Sequence, residues 1–145
     1  MSEIPEGLRL LIQDPFAGED VVEAVNSPTA LESLHMVLDP VAVPGFVTEM
    51  VADSSFRQER TGVEGFYDAW RDWAAPFEQL RLENVESRRV GDSVLSVVDQ
   101  TGVPKGTDTE ITQPAAAVWY LEDERLARVE FHLDVDVARK AAGLD

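Results

Sequence analysis

Arginine, glutamate and histidine occupy alternate positions in the segment Arg128-Val129-Glu130-Phe131-His132, and those residue types at that spacing can move a proton. A carboxylate beside an imidazole orients the ring and favours its charged form, and the ring titrates near neutrality. Period-two alternation puts Leu126, Arg128, Glu130, His132 and Asp134 on one side of a strand and Ala127, Val129, Phe131 and Leu133 on the other. If the polar row faces an enclosed interior, its charges have to be paired and His132 with Glu130 becomes a credible proton carrier. If it faces solvent or a second chain, the same residues are a cross-strand charge arrangement with no catalytic role. The sequence leaves both open.

Two further groups invite the same question. Asp99 follows the hydrophobic run Val94-Leu95-Ser96-Val97-Val98 and would act as a base if desolvated in a pocket; otherwise it is an ordinary strand-end aspartate beside Gln100 and Thr101. His35 lies on the apolar stripe of a helix, where a histidine is more often a hydrogen-bonded core residue than a ligand contact. The two histidines form no HxH or HExxH pattern and cysteine is absent, so no metal site is expected and thiolate chemistry is excluded. GxSxG, GxxxxGK[ST] and GxGxxG motifs are also missing, which removes support for serine hydrolase and nucleotide-binding readings.

The surrounding chain bounds the partners. With 12 basic against 28 acidic residues the formal charge is −16, which repels phosphate backbones and anionic lipid surfaces, so neither nucleic acid nor membrane is expected as a partner. No basic leader or long apolar span is present, and a cytoplasmic protein is the expectation. A length of 145 residues suits one domain spanning 1–145 with a single core.

The elements that must position these groups follow from periodicity. Leu8, Leu11 and Ile12 share a helical face ended by Pro15, and Val21, Val22 and Val25 share another. Ser27 and Pro28 open a third helix carrying Leu31, Leu34, His35 and Leu38, which Asp39-Pro40 ends before a short extended segment at Val41-Ala42-Val43. The stretch TGVEGFYDAWRDWAAPF has the Thr61/Glu64 spacing of a capping box and a broad aromatic face with Phe66, Tyr67, Trp70, Trp73 and Phe77. Core packing explains most of that face, while Trp70 and Phe77 could also line a pocket. From residue 79 the period becomes two, and four strands with tight connections form a meander, with Pro114 marking a bulge or an edge. The fold class is therefore α+β, with helices covering one face of a curved antiparallel sheet.

The segments GVEGFYDAWRDW, GDSVLSVV, AVWYLEDERLARVEF and DVDVARKAAGL together resemble the SnoaL-like, polyketide cyclase-like branch of the nuclear transport factor 2-like superfamily, over roughly residues 20–144. The resemblance implies a cone in which a bent sheet wraps helices around a pocket, and no required cofactor. It also implies a hydrophobic small molecule as partner and a homodimer through the sheet. Relatives often carry an aromatic where His132 stands, which tilts that position towards the cavity. The family's usual single opening helix is here interrupted by Pro15, Gly18 and Pro28. The Arg-x-Asp strand motif of related epoxide hydrolases is not found, and Tyr67 and Tyr120 do not match the pocket tyrosine of ketosteroid isomerases. Two functions stay open. One is a cofactor-independent cyclase or isomerase in which His132, aided by Glu130 or Asp99, moves a proton on a carbonyl compound bound by Trp70, Phe77, Trp119, Arg128 and His35. The other is a non-catalytic binder of an apolar ligand, or an interaction module.

Overall fold

A computed structural model describes residues 4–13, 15–16, 18–53 and 56–144. Three short helices, α1 (Glu6–Gln13), α2 (Val21–Asn26) and α3 (Ala30–Leu38), precede strands β1 (Ala42–Asp53) and β2 (Phe56–Thr61). Helix α4 (Gly62–Ala74) then leads into β3 (Phe77–Val90), β4 (Ser93–Pro104), β5 (Ile111–Glu122), β6 (Arg125–His132) and the closing helix α5 (Val135–Ala141). No helix among the described residues is long and apolar enough to cross a membrane.

The strands form one curved, unclosed sheet in the order β2-β1-β6-β5-β4-β3. Neighbours are antiparallel except β1 and β6, which run parallel. The hairpin between β5 and β6 turns on Asp123 and Glu124, both at positive φ (52° and 65°), the conformation whose twist suits a two-residue connection. Pro114 lies opposite Asp99 on β4, but β6 ends at His132, opposite Ala116. The other side of β5 is therefore unpaired at the proline, as its missing N–H requires.

Each face of the sheet has its own cover. Helices α1, α2 and α4 lie against the inner face, where Leu80, Val94, Ala117, Trp119, Val129 and Phe131 join Phe66, Ala69 and Trp70 in the main core. Helix α5 lies on the outer face, where Ala138 and Ala142 pack on Leu95, Val97, Ala116 and Val118. Asp134 caps α5 by accepting from the N–H groups of Asp136 (3.0 Å) and Val137 (3.2 Å). Gly65 lets α4 come close to the strand before it, since a Cβ there would sit 2.8 Å from the Cβ of Arg60.

Several local expectations need correction. Helix α3 starts at Ala30 rather than Pro28, because the Ser27 hydroxyl accepts the Thr29 N–H and turns the chain first. Thr61 stands at the N-cap of α4 without a side-chain capping bond, and Glu64 reaches across to His35 instead of back to the cap. The helical aromatic face stops before Pro76, so Phe77 is the first residue of β3. Strand β1 is far longer than Val41–Val43, and β2 was not foreseen. Pro44 and Gly45 (φ 69°) interrupt the alternation where β1 bends and shifts register against β6.

Candidate functional site

The inner face is built by α4 and three strands. Positions 66, 70 and 73 fall on one side of α4, so Phe66, Trp70 and Trp73 point at the sheet together. Phe131 of β6 meets them, with ring centroids 6.0 Å from Phe66, 4.9 Å from Trp70, 6.1 Å from Trp73 and 6.2 Å from Trp119. All three tryptophans of the chain line one small interior space, together with Phe131, Ser96 and Gln100. Its volume is about 30 Å³, room for little more than a water molecule. The expected hollow is thus almost filled by aromatic rings.

The polar groups in this lining are ordered. The Trp119 indole N–H donates to Ser96 Oγ (3.0 Å), and that of Trp73 donates to Gln100 Oε1 (2.8 Å). The third, Trp70 Nε1, is buried with no acceptor among the described residues. Trp70 is wedged edge-on between Phe16 (4.8 Å) and Phe131, and on its far side a second cavity of about 320 Å³ opens between Phe16, Leu34 and Tyr67. Trp73 and Gln100 also border an open groove of about 390 Å³ whose other walls include Met50, Val51, Phe77 and Leu133. Their hydrogen bond therefore stands between the interior and this mouth. Phe77 is kept at the rim by Gly102, where an added Cβ would lie 2.6 Å from the ring.

The polar row of β6 lies on the outer face. Parallel pairing sets Glu49 of β1 beside Glu130, two carboxylates that would repel without a cation between them. Arg128 supplies it, pairing with Glu49, donating from Nε to Glu130 (3.2 Å) and from Nη1 to Glu59 (3.1 Å). Glu130 also accepts from the Tyr120 hydroxyl (3.2 Å) and from His132 Nε2 (3.1 Å). His132 faces Ala116 and Val51, small or apolar neighbours, and is 3 % exposed. Burial pushes the Glu130 carboxyl up, but the hydrogen bonds from His132 and Arg128 and their charges outweigh it and hold the group at about 2.

His132, Glu130 and Arg128 are thus brought together, on the side of the sheet away from the tryptophans. Asp99 is not brought to them: it is exposed, opposite Pro114, on a row of β5 that β6 does not reach. Trp70 and Trp119 line the interior and Phe77 its mouth. His35 is half-exposed on α3, with Nδ1 3.1 Å from Asp39 and Nε2 3.2 Å from Glu64, and the hydrogen bond its ring donates to Asp39 leads the causes that raise its pKa. Sequence reasoning missed Ser96 and Gln100 as polar lining residues. The alternation of β4 carried the signal, since Val94, Ser96, Val98 and Gln100 share the face opposite Leu95, Val97 and Asp99.

A bent six-stranded sheet closed on its inner side by helices is the nuclear transport factor 2-like architecture, and solved structures agree. A protein from Jannaschia sp. CCS1 described as a SnoaL-like polyketide cyclase superposes with a TM-score of 0.62 at 15 % identity, over 97 % of this chain and 91 % of that one. A protein of ketosteroid isomerase-like fold from Catenulispora acidiphila DSM 44928, in complex with trimethylamine, gives 0.59 at 16 % identity over 99 % and 96 %. TerC, crystallised with polyporic acid, gives 0.55 at 18 % identity over 84 % and 96 %. Comparison with curated proteins gives no match. Residues 34–129 match the SnoaL-like domain, and the chain belongs to that family.

Proposed function

We propose that this chain binds a small hydrophobic molecule carrying a carbonyl or similar acceptor, received in the interior beneath α4. The observation that carries the reading is the buried indole N–H of Trp70, which has no acceptor among the described residues while its two counterparts have theirs. An unpaired buried donor costs about 1–3 kcal/mol, so a guest bringing an acceptor gains by pairing it. The site expands by parting Trp73 from Gln100 towards the mouth, or by moving Trp70 towards the 320 Å³ space beyond it. Two neighbours of the same fold hold small molecules, trimethylamine and polyporic acid, which fits a pocket built between helix and sheet. The described lining of the interior is apolar surface, indoles, a serine and a glutamine, a set suited to holding a ligand rather than to exchanging protons.

Trp70→Phe tests this directly, since it keeps an aromatic ring and deletes the donor. The variant is expected to lose little stability, because removing the unsatisfied polar group offsets part of the cost of the void that the smaller ring leaves. Polycyclic ketones that raise the melting point of the unaltered protein should lose about tenfold in affinity, roughly one hydrogen bond. Unchanged affinity would sink the role of Trp70. A panel of ketones, lactones and hydrophobic acids that shifts nothing would sink the binding reading.

The second reading is the cyclase or isomerase, with His132 and Glu130 as the proton-moving pair. Its support is the ordered set of His132, Glu130 and Tyr120, and it requires a substrate on the outer face. Turnover of a carbonyl substrate that disappears in His132→Gln with binding retained would favour it. A homodimer through the sheet is part of the same proposal, supported by the exposed Val137 on α5, the helix on the outer face. Light scattering at twice the chain mass of 16.0 kDa would agree, and a monomer at high micromolar concentration would not.

A further inference from the structure

A cleft of about 550 Å³ lies next to the mouth groove, with Asp72 and Phe77 common to both. Its floor is apolar, made by Val22 and Val25 of α2, Ala74 and Phe77. Its rim carries Arg60, Arg71 and Lys105 against Asp68 and Asp72. In a chain where acidic residues outnumber basic ones by 28 to 12, a cleft with three cations and two carboxylates inverts the local balance.

The state of four of these five charges sharpens the point. Asp72 is paired with Arg60, so that carboxylate is neutralised, and Arg60 Nη1 is buried with no acceptor among the described residues. Arg71 lies over the Tyr67 ring, 5.5 Å from its centroid, a contact that leaves the guanidinium N–H groups available. Neither Arg71 nor Lys105 has a carboxylate partner among the described residues. Lys105 is fixed at its backbone, where its N–H donates to the Pro76 carbonyl (2.9 Å) in the turn after β4.

We propose that this cleft holds the anionic group of an amphiphilic ligand, a hydrophobic carboxylic acid, between Arg71 and Lys105. The apolar body lies over Val22, Val25 and Phe77 and passes into the mouth groove towards Trp73 and Gln100. The inference rests on the binding reading above for the destination of the apolar body; the placement of the charge is independent of it. The net charge of −16 works against any anion, so a preference for an acid over its neutral analogue can arise only from a local arrangement of this kind.

The test compares 1-pyrenebutyrate with 1-pyrenebutanol, which share a ring system and differ in charge, by quenching of tryptophan fluorescence in the intact chain. The acid is expected to bind at least tenfold tighter than the alcohol. The double variant Arg71→Gln, Lys105→Gln is expected to bring the acid down to the alcohol's affinity and leave the alcohol unchanged. Both side chains are exposed, and circular dichroism and the melting temperature verify that the variant is folded. Equal affinities for acid and alcohol in the unaltered protein, or an acid preference that survives in the double variant, would overturn the anion site alone. Failure of both pyrenes to bind would overturn it together with the binding reading.

Discussion

Arg128→Ala lowers the unfolding free energy by about 3–5 kcal/mol, measured by urea titration at neutral pH. The magnitude follows from what the substitution leaves behind. Glu49 is 2 % exposed and Glu130 7 % exposed, and they sit side by side on neighbouring strands with Arg128 as their shared cation. Without it, two buried carboxylates face each other. Arg128→Lys recovers only part of the loss, because one ammonium cannot span the three carboxylates that the guanidinium fork reaches. The pH dependence gives a second readout. Glu130 is held at about 2 when folded, against an ordinary 4.5, so its contribution is fully present above that ordinary value and is lost as pH falls from there towards 2. That contribution is on the order of 3 kcal/mol. In Arg128→Ala His132 still holds the carboxyl down but the guanidinium no longer does, so the folded value rises, and the stability curve becomes lower at neutral pH and flatter through the acid range. A variant within about 1 kcal/mol of the unaltered protein, with the same acid limb, would mean the array contributes nothing to the fold.

The same array shows where sequence reasoning stops. The alternation of β6 was legible as one polar and one apolar row, because side-chain direction along a strand is local. Which row faces inward was not, since both rows are buried: Val129 and Phe131 beneath the aromatics of α4, Glu130 and His132 among neighbours on the outer face. The resemblance that tilted His132 towards the cavity pointed the other way from the observed geometry. The carboxylate that shares Arg128 with Glu130, Glu49, comes from β1, some eighty residues earlier, and no period in the chain announces a parallel pairing across that separation. Pro44-Gly45 further cut the extended reading of β1 short at Val43. By contrast, the aromatic face of α4 and the hairpins after residue 77 rest on contacts close in sequence, and those were readable. Of the pocket residues, Trp70 and Trp119 were foreseen in the interior. The near-absence of open space there was not, because packing volume is a property of all the rings together and of no single one.

That packing sets the second large effect. Phe131→Ala is expected to cost about 3–5 kcal/mol, since the ring touches Phe66, Trp70, Trp73 and Trp119 and none of these can fill its place without leaving its own partners. Two of those indoles are tied by hydrogen bonds to Ser96 and Gln100, which opposes collapse into the gap. The vacated volume therefore joins the interior space of about 30 Å³ and makes a larger, mainly apolar cavity under α4. Benzene or a similar guest should then raise the melting temperature of Phe131→Ala in proportion to the logarithm of its concentration, while leaving the unaltered protein nearly unaffected. A loss below about 1 kcal/mol with no response to the guest would mean the indoles relax into the gap, and the interior could not then hold the shape of a ligand. A large loss with a clear guest response would show that the walls keep their form when the centre is emptied, which is the property a binding pocket between α4 and the sheet requires.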